Sequence, residues 1–212
     1  MWGSELEKKE FGLLYPYFHG KEDERNVAKG IKKLRKLAEG GYIPAVCQLG
    51  ICYFDHLGVR RNYQECFRLY LIAANEGYPS GEAGVGTFYG TVFPKYNVCD
   101  YSAEKAVEWW LKAAHHGNSG AQCNLAHDYL VGTGVDKNFV EAYIWSSMAV
   151  HCCSIRFRIA EVQRDQAVAQ LTADQKRLAD ERIDQLKKIL PLDWSDHLDY
   201  WRKLFAQATS TS

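Results

Sequence analysis

The chain has 212 residues, with 26 Lys plus Arg balanced by 26 Asp plus Glu. That length is enough to bury a sizeable core, and a single domain is the natural expectation. The neutral balance speaks against a nucleic-acid binder, which needs an excess of basic surface. With no run of 18 apolar residues there is no membrane-spanning helix to expect.

In chain order, residues 1–26 form an N-terminal segment with the aromatic cluster LLYPYFHG and then the charged run KEDER. Phe11, Leu14, Tyr15 and Phe18 could share one helical face, with Pro16 interrupting it. This segment is expected to cover the open end of a repeat array, since such ends need caps; a partner-binding arm is the alternative. The start MWGSELEKKEFG shows no basic-then-apolar signal segment. A basic helix is expected over Val27–Glu39. Its exit GGYIPA aligns with EGYPSG 36 residues on, so residues 27–42 read as a partial copy of a repeating unit, its second helix alone. Lys29, Lys32, Lys33, Arg35 and Lys36 read as a solvated face, with a phosphate or acidic-partner site as the sharper alternative.

Three fuller copies occupy about 43–78, 79–118 and 119–151. The third shows Ala121, Leu125, Tyr129, Gly132, Gly134, Val135, Asn138, Ala142, Trp145 and Ala149 in series. The first shows Ala45, Leu49, Tyr53, Gly58, Val59, Asn62, Cys66, Leu69 and Ala73, and the middle one Gly81, Val85, Tyr89, Ser102, Ala106, Trp109 and Ala113. Tyr53 to Tyr89 is 36 residues and Tyr89 to Tyr129 is 40, so the middle copy carries four extra residues between Gly90 and Tyr101. A fixed period in this range is the mark of a solenoid. Ala, Leu and Tyr at i, i+4 and i+8 make one helical face. Asn62 with Glu65, and Asn138 with Glu141, read as an N-cap with its return partner. Gly132 and Gly134 suit a loop with positive φ.

At these residues the pattern A-x-x-x-L-G-x-x-Y…G-x-G-V…A-x-x-W-x-x-x-A-A-x-x-G resembles the Sel-1-like repeat family, relatives of the tetratricopeptide repeats. The likeness covers residues 28–150 or so, and copy two departs from it at Gly81, at Val85 and in its missing G-x-G-V turn. The resemblance implies an all-α, right-handed αα-superhelix of stacked helical hairpins, closed by a C-terminal capping helix. It also implies protein–protein interaction as adaptor or scaffold, with an immunity-type inhibitor of a bacterial toxin as an alternative. Cysteines stand at 47, 52, 66, 99, 123, 152 and 153. In the secreted cysteine-rich branch, as the resemblance implies, residues at the places of Cys47 and Cys123 pair with cysteines where this chain has Ala38 and Ala114. That staple is absent, so the cysteines read as small apolar residues of a reducing compartment, with disulfides as the alternative. A cytoplasmic location is expected; a periplasmic or secreted one is expected instead if a signal segment has been removed.

Beyond the repeats, residues 152–190 are expected to form capping helices. Thr172 with Gln175 makes a capping box, and Leu178, Ile183, Leu186, Ile189 and Leu190 a stripe. Residues 191–212 hold a short helix with Trp194, Leu198, Trp201 and Leu204 or Phe205 on one face, then a disordered tail; self-association through it is an alternative. No G-x-S-x-G, P-loop or H-E-x-x-H is present. Cys152-Cys153 is not C-x-x-C, and no catalytic, metal or cofactor-binding residue is named. The rival enzyme reading, a hydrolase, rests on Ser146-Ser147 alone. The expected partner is another protein or an extended peptide. It would meet the concave face at Gln48, Ile51, Asp55, Thr87, Asn124, His127 and Asp128, or the loop of residues 91–100 through Phe93 and Tyr96, which equally could tuck back onto the stack.

Overall fold

A computed structural model describes residues 3–19, 26–90, 98–152 and 157–190, with positions 204, 206, 207 and 209; the side chains of 152 and 157 are excepted. Among these residues all regular structure is helical. In order the helices are α1 (Glu5–Gly12), α2 (Tyr15–His19), α3 (Val27–Glu39), α4 (Ile43–Asp55), α5 (Tyr63–Asn75), α6 (Pro79–Gly90), α7 (Ala103–His115), α8 (Ser119–Val131), α9 (Phe139–Cys152), α10 (Phe157–Val168) and α11 (Ala173–Ile189). Cysteine 153 and the apolar residues Trp194, Leu198, Trp201 and Phe205 lie outside the described residues. The chain divides into two compact units, Met1–Gly81 with His197–Ser212, and Glu82–Asp196.

Capping explains where the helices begin. Asn62 accepts from the Glu65 backbone N–H at 3.0 Å, Ser102 from Lys105 at 3.2 Å and Asn118 from Ala121 at 2.8 Å. Each such cap is worth about 1 kcal/mol. The expected return partner does not form. The Glu65 carboxylate is held by both Arg68 Nε and Nη2, at 2.8 and 2.7 Å, and Glu141 pairs with Arg182. A charged guanidinium outcompetes a neutral backbone N–H for an ionised carboxylate. The box at Thr172 and Gln175 is complete in both directions.

In the first unit, α3 packs on α4 and α4 on α5. Phe11, Leu14 and Phe18 enter the core with Ile31, Leu34, Tyr42 and Leu49, and Leu204 joins them. Pro16 therefore does not end the aromatic face: it lies in the first turn of α2, where no intrahelical N–H is required of it. Gly81 is the departure of copy two that packing explains. A Cβ there would stand 2.6 Å from Ala73 Cβ and 2.8 Å from the Ala74 nitrogen.

In the second unit, α7 packs on α8, α8 on α9, and α9 on both α10 and α11. Trp145, 1% exposed, fills the centre with Trp110 and Leu125, ringed by Ala106, Ala113 and Ala121. Small residues allow the close helix approach, and the indoles occupy the space that remains. The G-x-G turn after α8 lies against the start of α7. Gly134 has φ of +67°, and a Cβ on it would overlap the Ala103 backbone carbonyl. Beyond the repeats, Ile144 and Met148 of α9 pack against Ala179, Ile183 and Leu186 of α11. The stripe expected on α11 shifts accordingly. Leu178 is 55% and Ile189 72% exposed, while Ala179 and Leu190 are buried. Positions 179, 183, 186 and 190 follow the i, i+4, i+7, i+11 face, and Leu178 sits about 100° off it.

Candidate protein-binding surfaces

On α4, of the three residues expected at an open face, Asp55 is exposed and Ile51 half-buried. Gln48 is not at the surface: it is 3% exposed, and its amide lies 3.9 Å from Cys52 Sγ one turn on. The i, i+4 relation to a fully buried cysteine puts Gln48 on the packed side of the helix.

In the second unit, His127 of α8 is exposed and Asn124 half-buried. Thr87 of α6 is half-buried, and its hydroxyl donates to the Ala83 carbonyl at 2.9 Å, within its own helix. Asp128 is 6% exposed, contrary to its expected place on an open strip. The repeat register gives the reason. Residue 128 stands where copy two has Phe88 and copy one has Cys52, both buried. Burial pushes the Asp128 carboxyl from its ordinary 3.8 up to about 7. Phe93 and Tyr96 lie outside the described residues.

The two serines of the rival enzyme reading differ. Ser146 is fully buried and donates to the carbonyls of Ala142 and Tyr143, at 2.7 and 3.1 Å. Such back-bonding within a helix is a structural use of the hydroxyl. Ser147 Oγ is buried and has no hydrogen-bond partner among the described residues. It lines an open groove of about 600 Å³ with Tyr143, His151, Arg164, Asp180 and Lys187. Asp180 accepts from Tyr143 OH at 2.8 Å and pairs with Lys176 at 2.6 Å, so its charge is already met. No base reaches Ser147 Oγ, and the activated nucleophile of covalent catalysis is not assembled among the described residues.

Elsewhere in this unit the Glu82 carboxylate, 3% exposed, lies 2.7 Å from His116 Nδ1. Burial raises the Glu82 pKa above the usual range and the His116 contact offsets part of that rise. The neighbouring His115 is lowered, first by burial and then by Arg182, and stands edge-on to Trp145 with centroids 5.1 Å apart. Both histidines thus have packing or pairing roles at the end of α7.

Cys47, Cys52, Cys66, Cys99 and Cys123 are free thiols. Burial pushes Cys52 and Cys66 up to about 12 and Cys47 higher still. Thiols held neutral in this way are poor nucleophiles and poor metal ligands.

One surface is only partly legible in the sequence, which offers Arg35 as one of the basic residues of α3 but not its companions Arg60 and Arg61. In the first unit an open groove of about 620 Å³ is lined by Arg35 of α3, by Tyr53 of α4, and by Val59, Arg60 and Arg61 of the turn after α4, over Ile31. Arg35 Nη2 donates to Tyr53 OH at 2.9 Å, and Arg61 Nε to the Phe54 carbonyl at 3.1 Å. Both guanidiniums are thus fixed by neutral acceptors. Only folding brings residues 18 positions apart to one wall.

The fold has counterparts among solved structures. The chain aligns over 98% of its length with a protective antigen of uropathogenic Escherichia coli strains displaying an SLR fold, at 23% identity and a TM-score of 0.72. It spans 41% of that antigen. It also aligns over 95% of its length with a Sel1 repeat protein from Oxalobacter formigenes, at 19% identity and a TM-score of 0.65, and covers 82% of it. An immunity protein from Pseudomonas aeruginosa aligns over 95% of the chain and 81% of its own length, at 15% identity and a TM-score of 0.43. The first two share the helical-hairpin solenoid fold. The Sel1 repeat model matches residues 43–78, 82–118 and 119–151, half of the sequence, and the chain belongs to the Sel1 repeat family.

Proposed function

We propose that this protein is a non-enzymatic interaction module, an adaptor or stoichiometric inhibitor, that binds another protein through side chains of the first helix of its hairpins. Sel1 repeats typically mediate protein–protein interaction. The observation that carries the reading is the division of labour along α4 and α8. Each helix buries its repeat alanine and leucine, Ala45 and Leu49 or Ala121 and Leu125, and half-buries its repeat tyrosine, yet keeps other side chains partly or fully exposed beside them. In the first unit these are Ile51 and Asp55, and in the second Asn124 and His127. Such side chains are free to contact a partner without disturbing the core. Among the described residues no helix is long and apolar enough to cross a membrane, so the partner is sought off the bilayer.

The test is affinity capture from the source organism's lysate. The baits are the intact chain, an Ile51→Asp variant, a His127→Asp variant and a double variant. One protein retained stoichiometrically by the intact bait, and at least tenfold less by the double variant, is the expected result. Retention by every bait puts the interface elsewhere, with residues 91–100 next. Retention by none removes the protein-partner reading.

A further inference from the structure

We propose that the groove of Arg35, Arg60 and Arg61 in the first unit is an anchor for an acidic segment of a protein partner, one that presents two carboxylate side chains within a few residues. This rests on the interaction-module reading and names the chemistry that reading leaves open.

Three features carry it. First, among the described residues the groove is lined by three arginines and by no Asp or Glu. Glu65, whose charge Arg35 also feels, is already chelated by Arg68 through two hydrogen bonds. Second, two of the guanidiniums are pre-organised. Arg35 is pinned by Tyr53 OH, with its guanidinium 5.8 Å from that ring's centroid. Arg61 is pinned by the Phe54 carbonyl and lies 5.9 Å from the Tyr63 ring centroid. A guanidinium has five N–H donors in a rigid fork. Each therefore keeps donors free for a carboxylate while its rotamer entropy is already spent. Third, apolar side chains share the lining, the buried Ile31 and the half-buried Val59, and a partly dry surface strengthens a charge-assisted pair. The volume of about 620 Å³ falls among ordinary ligand sites of about 300–1,000 Å³.

An acidic protein segment fits better than a nucleic acid. The chain carries no net positive charge, so the long-range field that concentrates polyanions is missing. A pocket-sized cluster of fixed forks selects short-range bidentate contacts instead.

The experiment uses the full chain and fluorescence anisotropy at 50 mM salt. The probe is a fluorescein-labelled (Glu-Leu)₃ peptide, with (Gln-Leu)₃ as its uncharged counterpart. A 12-nucleotide single-stranded DNA and inorganic phosphate serve as competitors. The variants are Arg35→Gln/Arg60→Glu, the single Arg60→Glu, and the charge-matched control Lys9→Glu/Lys32→Gln, whose lysines lie outside the groove. Circular dichroism checks each fold. Arg60 has no hydrogen bond or ion pair among the described residues, so its single variant keeps the test decisive if the double variant misfolds.

The expected result is saturable binding of (Glu-Leu)₃, weakened at least tenfold in the double variant and at least threefold in Arg60→Glu. The lysine control should change it less than twofold. Equal binding of (Gln-Leu)₃, equal loss in the lysine control, or displacement by DNA or phosphate at equal charge concentration overturns the proposal. Partner capture separates the two readings. A partner held equally by the intact chain and by Arg35→Gln/Arg60→Glu sinks the groove and leaves the interaction module standing. Capture of nothing by any form removes the module, while the peptide arm still decides the groove.

Discussion

Replacing Asp128 by Asn should stabilise the protein, and the gain should grow with pH. Asp128 sits 6% exposed at a register that the other copies fill with Phe88 and Cys52. Its carboxyl is raised from 3.8 to about 7 by burial. A raised folded-state pKa means that the proton is bound more tightly in the folded chain. Its stabilising contribution is fully present below pH 3.8 and is lost as pH climbs through about 7. At 1.36 kcal/mol per pH unit, the full span corresponds to about 4 kcal/mol. Relaxation of the chain toward the ionised carboxylate lowers this figure, so it is a ceiling. Between pH 5 and pH 8 the same linkage gives about 2–3 kcal/mol. That difference is the cleaner quantity, because any constant preference for amide over acid cancels. The assay is urea unfolding followed by tryptophan fluorescence at pH 5, 6.5 and 8 for both proteins, with a carbon NMR titration of the Asp128 carboxyl in the intact chain. An advantage for Asn that rises by at least 1 kcal/mol from pH 5 to pH 8, and a titration midpoint above 6, are expected. A pH-independent difference, or a midpoint near 4, would refute the argument.

Gly134→Ala should destabilise by about 2–4 kcal/mol, from left-handed backbone strain plus overlap with the Ala103 carbonyl. Gly132→Ala, equally left-handed but with nothing nearer than 3.5 Å, should cost only about 1–2 kcal/mol; thermal unfolding of the pair distinguishes them, and equal losses would contradict the contact. Cys47, Cys52 and Cys66 should resist a thiol reagent at pH 8 in the native chain and react in 6 M guanidinium, because burial keeps all three protonated. Mass mapping of the labelled cysteines checks this, and native labelling of Cys47 would contradict it.

The helices were legible because the repeat writes the same physical demands at fixed spacing. Ala121, Leu125 and Trp145 could be placed in a core because their counterparts obey the same period. Asp128 shows where that reading stopped short. Its neighbours in register, Cys52 and Phe88, mark a buried position, whereas the residues between the repeat's Ala, Leu and Tyr are expected together on the open face, Asp128 among them. Gln48 was misplaced in the same way, and Leu178 because an apolar residue was assumed to follow the buried face. The arginine groove is legible only at Arg35, for a different reason. It joins α3 to the turn after α4, and no local pattern marks the pairing of Arg35 with Tyr53. The same holds for Glu82 and His116, 34 residues apart.

The way α9 is used bears on how such a chain changes length in evolution. Its alanine and tryptophan positions serve the hairpin it shares with α8, while Ile144 and Met148 are fitted to Ala179, Ile183 and Leu186 of α11. The equivalent positions of α7 have no such duty. A gene duplication that inserts a hairpin before α8 would present each new surface with a match it already knows. One that appends a hairpin after α9 would strand four large apolar side chains in water and leave α11 without a seat. On this packing a hairpin is more readily accommodated before α8 than after α9, because the final hairpin and α11 are fitted to each other through Ile144 and Met148.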